Sequence, residues 1–344
     1  MPNDPALKLS ICIPTFNRAT YIGATLESII IQATDECEIV VSDNASTDET
    51  ELIVMECTRR FRRLRYIKQD SNIGPDRNFD CAVDLARGEY CWLFSDDDLL
   101  KPGAVSAVLK GIDQEPSLII VNAELKDVSM SKILRRRWLD IESDRRFGHR
   151  ELDHLFIALD EMLWYVGGVV IKREIWISRE RRKYYGSLYI HVAVIYQAQL
   201  PGDALVIATP LISYREGNTH SWGVSHTELL LLKWPSLVES MAVSSAARNR
   251  VKSAQPWRNP TWLLLLRAFG IYSMAEYQLY ISPRLNLLRE KLAPVLVALC
   301  PGILANSIFV IYFLIRRDKG DLLLGLRRSP NYFRNWKFYR REHS

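Results

Sequence analysis

Residues 88–98 read Gly-Glu-Tyr-Cys-Trp-Leu-Phe-Ser-Asp-Asp-Asp. The stretch Glu89 to Phe94 has the length and apolar, aromatic character of a buried strand, and it runs straight into Ser95 and the triplet Asp96-Asp97-Asp98. Upstream, Leu7 to Pro14 is an apolar, β-branched run closed by proline, and Glu38 to Asp43 and Leu64 to Lys68 are two further runs of strand length. Helical patterns lie between them. Ile22, Leu26, Ile29 and Ile30 share one stripe after Tyr21, and Phe79, Ala82, Val83 and Ala86 share another, which Gly88 is placed to stop. Ser46 and Glu49 have capping-box spacing and predict a helix start near Thr47. Downstream, Pro102 suits the first turn of a helix and Ser117 to Val121 a fifth strand. Strands alternating with helices at this interval specify an α/β fold with a mostly parallel, doubly wound sheet.

Ligands of such sheets bind beyond the carboxyl ends of the strands. Those ends carry Pro14-Thr15-Phe16-Asn17, then Asp43-Asn44, then the aspartate triplet, so three strands deliver polar groups to one edge. Asp43 or Asn44 alone would serve equally well to cap a helix or close a turn. Three adjacent carboxylates are different, because like charges side by side cost free energy unless a cation or a positive ligand offsets them. Carboxylate oxygens are hard ligands suited to Mg²⁺ or Mn²⁺, ions that also bind substrate phosphates.

Composition narrows the class without naming it. The chain has 344 residues, 48% hydrophobic and 25% charged, with a formal net charge of only +5. Its six cysteines form no C-x-x-C pair, and most lie in apolar runs, which points to a reducing compartment. Met1-Pro-Asn-Asp-Pro lacks the plan of a signal peptide, so the catalytic part is expected in the cytoplasm.

The order CIPTFNR (12–18), VVSDNAST (40–47), SNIGPDRNF (71–79) and GEYCWLFSDDD (88–98), with Pro102-Gly103 soon after, resembles family-two glycosyltransferases of the GT-A fold. NIGPDRNF and GEYCWLFSDDD resemble especially the abequosyltransferase group of bacterial O-antigen enzymes. The likeness is dense from Leu7 to Val121 and thin beyond. It implies transfer of a sugar, a deoxyhexose among the candidates, from a nucleoside-diphosphate sugar to a hydroxyl of a lipid-linked or surface-polysaccharide acceptor. Carried over by position, Pro14, Thr15, Asn17, Asp43 and Asn44 would bind the nucleotide, Asp43 through the base, with Asp76 and Arg77 on the substrate side. The family's acidic motif is usually Asp-x-Asp-Asp. Here Ser95 stands at the first position, so the contact usually made there is lost, made by Ser95, or replaced by Asp96 on the nucleotide-sugar side, while Asp97 and Asp98 stand at the last two as ligands of a divalent cation.

Inverting members use a carboxylate further along the chain as general base, usually within Glu-Asp. The corresponding region reads Tyr189-Ile190-His191-Val192. His191 is the candidate base, against the alternative of a packed histidine, with Asp160 and Glu161 behind it. Arg215, in the polar stretch 213–222, is placed to contact phosphate or to sit in an ordinary surface loop. His220 and His226 have no third ligand nearby, so no metal is assigned there.

The character changes near Trp257. Expected boundaries are a catalytic domain over 1–225, divided into a nucleotide half (7–125) and an acceptor half (126–225), and an apolar, basic helical region over 226–344. Leu292 to Ile315 is uncharged over a bilayer-spanning length, but Pro301-Gly302 and Asn306-Ser307 interrupt it. A crossing helix, a buried helical pair and an in-plane membrane hairpin all fit. Basic flanks on both sides and the basic, aromatic tail (Arg327 to Arg341) favour a peripheral or monotopic enzyme on the cytoplasmic face of the inner membrane, with a polyprenyl-diphosphate-linked oligosaccharide as acceptor. The same tail precedes no nucleic-acid module, so no nucleic-acid partner is expected. Two other functions compete: nucleotidyl transfer, which lacks its glycine-rich phosphate loop here, and a catalytically degenerate nucleotide-binding subunit at the membrane, which Ser95 and the missing Glu-Asp keep open.

Overall fold

The computed structural model describes residues 7–217, 228–251, 256–316 and 320–333. The chain divides into two compact units. The first is Met1–Trp222 with Ser240–Ala247, and the second is Gly223–Glu239 with Arg248–Ser344. A single boundary at 225 therefore misses the return of 240–247, which joins the first unit through Ala242 N–H to the Tyr196 carbonyl and Ser244 N–H to Asp153 Oδ1.

The described residues of the first unit build a ten-stranded mixed sheet. Its strands are β1 (Leu9–Thr15), β2 (Cys37–Asp43), β3 (Leu64–Lys68), β4 (Tyr90–Leu93), β5 (Leu99–Leu100), β6 (Leu118–Lys126), β7 (Ile133–Arg135), β8 (Arg145–Phe147), β9 (Val169–Lys172) and β10 (Ala204–Arg215). The order is β3-β2-β1-β4-β9-β6-β10-β5, with β7 on β6 and β8 on β10. β3, β2, β1 and β4 pair in parallel, as do β6 and β10. β9 is antiparallel to both β4 and β6, so those two point the same way. Six strands thus end on one edge, and β9 starts there.

The helices are α1 (Ile22–Ile30), α2 (Thr50–Arg60), α3 (Pro75–Leu85), α4 (Ala104–Ile112), α5 (Leu152–Leu159), α6 (Arg173–Ser178) and α7 (Ile190–Tyr196). α3 packs on β1 and β2, and α4 on β6 and β10. Three local expectations are corrected. α2 begins at Thr50 rather than Thr47, because Asp48 Oδ1 accepts from Thr50 N–H while the Ser46 hydroxyl accepts from Asn17 N–H. Gly88 does not end α3, which is already extended at Ala86. Its lack of a side chain lets the chain approach β1: a Cβ there would lie 2.7 Å from Ser10 N. The fifth strand also runs past Val121 to Lys126, carrying the buried polar residues Asn122 and Glu124.

The second unit is helical. Asn259 caps the helix Pro260–Ala268 by accepting from Trp262 N–H at 3.1 Å. Two clusters hold the unit together, one around Leu231, Leu263, Tyr272 and Ile281, the other around Ala268, Ala305 and Leu326. Leu288–Leu299 and Gly302–Arg316 are bent by 86° at the Cys300-Pro301 break, so no single described helix is long and apolar enough to cross a membrane. The loop residues His220 and His226, and the tail from Arg334 onward, lie outside the described residues.

Candidate active site

The parallel half brings the first two polar strand ends together. At the end of β2, Asp43 is fully buried, and its carboxylate accepts from Tyr66 Oη at 2.7 Å and Ser46 N–H at 2.8 Å. Asn44 donates its backbone N–H to the Thr15 carbonyl at the end of β1, and its side chain joins Asn72 and Ile73 N–H. Asn78, from α3, donates to the Ser42 carbonyl at 2.8 Å and accepts from Ser42 Oγ at 2.7 Å. Pro14 and Thr15 are buried here. Asn17 takes a left-handed φ of +53°, which asparagine tolerates, and its Oδ1 accepts from Thr47 N–H. This region is a rigid cup of amides and one carboxylate.

The aspartate triplet follows β4, and its three side chains have different neighbours. Asp96 is buried and accepts from Arg18 Nε at 3.2 Å. Asp98 is buried, with Oδ2 accepting from Tyr165 Oη and Oδ1 from Arg215 N–H, both at 2.8 Å. Asp97 is half-buried between them. Burial, and after it the charge of Asp97, push Asp96 up to about 7 and Asp98 up to about 8. Arg18 Nη1 is also buried there with no hydrogen-bond partner among the described residues.

No three His, Cys, Asp or Glu side chains among the described residues gather closely enough to hold a metal by themselves. Mg²⁺ and Mn²⁺ need less when phosphate completes the shell, since one or two carboxylates plus diphosphate oxygens and water suffice. The donor set at Asp97 and Asp98 fits that case.

Arg215 lies beside the triplet. Its Nε donates to the Asp97 carbonyl at 2.8 Å, Nη1 donates to the Val128 carbonyl, and the guanidinium stands 4.8 Å over the Tyr21 ring. Next to Asp98 is an aromatic group that sequence reading did not find. Trp138 stacks on Tyr165 at 5.1 Å and 22°, Trp138 meets Tyr214 at 5.0 Å, and Tyr165 meets Tyr214 edge-on at 5.2 Å. These rings come from three separate segments and form no motif in sequence.

Two of the expected residues are engaged elsewhere. Asp76 is held by backbone amides. It is buried at the start of α3, where its carboxylate accepts from Gly186 and Leu188 N–H at 2.8 Å and Ile190 N–H at 3.2 Å, fixing the segment that leads into α7. Arg77, the next residue, is exposed. His191 lies in a wholly buried α7, its Nε2 3.0 Å from the Leu163 carbonyl, and burial lowers its pKa to about 4. A neutral histidine already engaged with the backbone is a packed residue, not an open base. Asp80, one turn after Asp76, accepts from Trp176 Nε1, Arg181 and Tyr185 and anchors the same region.

The family model for glycosyl transferase family 2 matches residues 10–163. The chain is 30% identical over 283 residues to abequosyltransferase RfbV of Salmonella typhimurium, covering 76% of this chain and 84% of that protein. It is 31% identical to the Campylobacter jejuni GalNAc(5)-diNAcBac-PP-undecaprenol beta-1,3-glucosyltransferase over 139 residues, 40% of this chain and 45% of that one. In structure it is similar to residues 1–349 of S. aureus TarS in complex with UDP-GlcNAc, with a TM-score of 0.54 at 17% identity over 93% of this chain and 90% of that one. With the family model over residues 10–163 and the RfbV likeness reaching across most of both proteins, the chain belongs to glycosyl transferase family 2.

Proposed function

We propose that this glycosyltransferase binds a nucleoside-diphosphate sugar at the joint edge of β1, β2 and β4 and transfers the sugar to a hydroxyl of a lipid-linked oligosaccharide. The observation that carries the reading is the acidic triplet at that edge, with Asp96 and Asp98 buried and held by Arg18, Tyr165 and the backbone of Arg215. Pro14, Thr15, Asn17, Asp43 and Asn44 form the nucleotide cup. Asp96, held by Arg18, takes the place left by Ser95, and Asp97 and Asp98 would hold Mn²⁺ or Mg²⁺. Such an ion supplies charge stabilisation for the departing diphosphate. The residues themselves orient the donor. Arg215 fixes the backbone of the triplet, and Tyr165 fixes the Asp98 carboxylate.

The likeness to an abequosyltransferase supports a deoxyhexose as the sugar, and the undecaprenol-linked acceptor of the Campylobacter relative supports a polyprenyl-diphosphate acceptor. The second unit supports a peripheral place on the cytoplasmic face of the membrane. On its bent helices the apolar side chains point outward: Leu292 is 61% exposed, Leu296 58%, Ile311 58% and Ile315 76%. Asn306 is fully buried, donating to the Ala268 and Leu326 carbonyls. Apolar groups outside and an amide inside suit a lipid surface, and Arg289, Lys291 and Arg316 flank the stripe for anionic head groups.

The test is turnover of nucleotide sugars by purified protein with Mn²⁺, beside an Asp97→Asn variant. The reading expects metal-dependent release of nucleoside diphosphate, with the variant reduced about a hundredfold or more. Metal-dependent nucleotide binding without any turnover would favour the degenerate-subunit reading. Full recovery in the low-salt soluble fraction without detergent would sink the membrane placement.

A further inference from the structure

We propose that Trp138 is the platform on which a pyranose ring lies at the transfer site, with Tyr165 and Tyr214 behind it. The proposal rests on the transferase reading and adds the surface that receives the sugar. A pyranose has one polar rim of hydroxyls and faces lined with C–H groups. A site for it needs an aromatic face for the ring and carboxylates or other polar groups for the rim.

Both kinds of group meet here. Tyr165 bridges them, its ring under Trp138 and its hydroxyl on Asp98 Oδ2 at 2.8 Å. Tyr214 closes the group from β10, directly before Arg215. The platform is firmly mounted. Trp138 N–H donates to the Ala123 carbonyl of β6 at 2.7 Å, and Leu139 N–H donates to Asn122 Oδ1 at 2.9 Å.

Trp138 also differs from tryptophans that serve as core. Trp92 and Trp176 are fully buried, with indole N–H groups donating to the Gly167 carbonyl and to Asp80. Trp138 is half-buried, although the Tyr165 ring beneath it is 4% exposed. Tyr165 is therefore the covered member of the stack and Trp138 the member that keeps solvent exposure. A partly exposed tryptophan joined to β6, one ring away from a buried carboxylate of the triplet, is placed for a sugar rather than for packing alone.

The ring is that of the donor or that of the acceptor, and one experiment separates the two. Wild type, Trp138→Leu, Trp138→Ala and Trp138→Phe are compared by calorimetry with Mn²⁺, using UDP against UDP-GlcNAc, GDP against GDP-mannose and CDP against CDP-glucose. Donor hydrolysis and transfer to octyl glycosides are measured in parallel, and thermal midpoints check folding. A donor ring predicts that the leucine and alanine variants lose about tenfold in affinity for the sugar nucleotide while bare nucleotide binding holds, with phenylalanine partly restoring it. An acceptor ring predicts unchanged donor binding and hydrolysis but a KM for the octyl glycoside raised about tenfold. Wild-type values in every assay would overturn the proposal, as would equal loss of nucleotide and sugar nucleotide, which would make Trp138 a prop for the whole site. A wild type that binds none of these nucleotides with Mn²⁺ would fail the nucleotide-sugar reading itself, and the proposal with it.

Discussion

Asp76→Asn separates two roles for one residue, a contact to the donor or an anchor for residues 186–190. Asp76 is 2% exposed, with two backbone N–H groups on Oδ2 and one on Oδ1. Asparagine keeps one oxygen for the first pair and turns an amide NH₂ toward the third donor. Two charge-assisted bonds then become neutral ones, at about 1 kcal/mol each, and one buried N–H loses its acceptor, at about 1–3 kcal/mol. A total of about 3–5 kcal/mol is a large share of a domain's stability. The anchored segment has its own reason to relax, because Leu188 sits at φ +67°, a region that costs a non-glycine residue about 1 kcal/mol or more.

The assay is amide hydrogen exchange over 186–190 together with urea unfolding of the full chain. If Asp76 is an anchor, exchange there should accelerate by roughly two to four orders of magnitude, and unfolding should move to lower urea. Turnover should fall only as far as the folded fraction and the α7 segment fall. A variant with wild-type exchange and unfolding that has lost nucleotide-sugar turnover would refute the anchor and return Asp76 to the substrate.

Three further substitutions follow from the same geometry. His191→Asn should retain turnover per folded molecule. Because the buried imidazole titrates near 4 rather than near 6.5, the unfolded state binds the extra proton between those values. Stability is then full above about 6.5 and lost as pH falls toward 4, by about 3 kcal/mol in wild type, and the variant's acid-unfolding curve should lack that component. Gly88→Ala should lower stability by about 1–3 kcal/mol in urea, because its Cβ meets the Ser10 backbone, and an unchanged midpoint would contradict the close approach. Arg215→Lys should reduce turnover about tenfold or more with little change in unfolding, since an ammonium cannot reach the Asp97 and Val128 carbonyls together while covering Tyr21.

The elements legible in sequence are those whose partners are near in the chain. β1, β2 and β3 lie within about two residues of their expected limits because each is an apolar run packed in a parallel β–α repeat. The second half of the sheet was not legible in the same way. β6 reads as ending at Val121 only because Asn122 and Glu124 look like loop residues. Asn122 is satisfied by Leu139 and Ala208, and Glu124 by Ser213 and Lys101, none of them local. The reversed β9 and the long β10 likewise depend on pairings across the domain. The same rule governs the site. Three adjacent aspartates announce themselves, while Arg18 and Tyr165 stand 78 and 67 residues from their carboxylates. At His191 residue type leaves a base and a packed ring both open, and burial with the Leu163 contact favours the packed ring.

The surroundings of the triplet explain why a serine rather than a fourth carboxylate precedes it. Asp96 and Asp98 are tied down on opposite sides, one by Arg18 from the β1–α1 connection, the other by Tyr165 before β9 and by the backbone of β10. Asp97 is left between them, half-buried, with its backbone carbonyl clamped by Arg215. Its charge is the second cause, after burial, of the upward shift in both neighbours. A fourth carboxylate at position 95 would add to that repulsion in a place already short of water. Arg18 relieves it at Asp96. A divalent cation carried in with a diphosphate has the charge, the ligand preference and the coordination number to offset the crowding of these carboxylates.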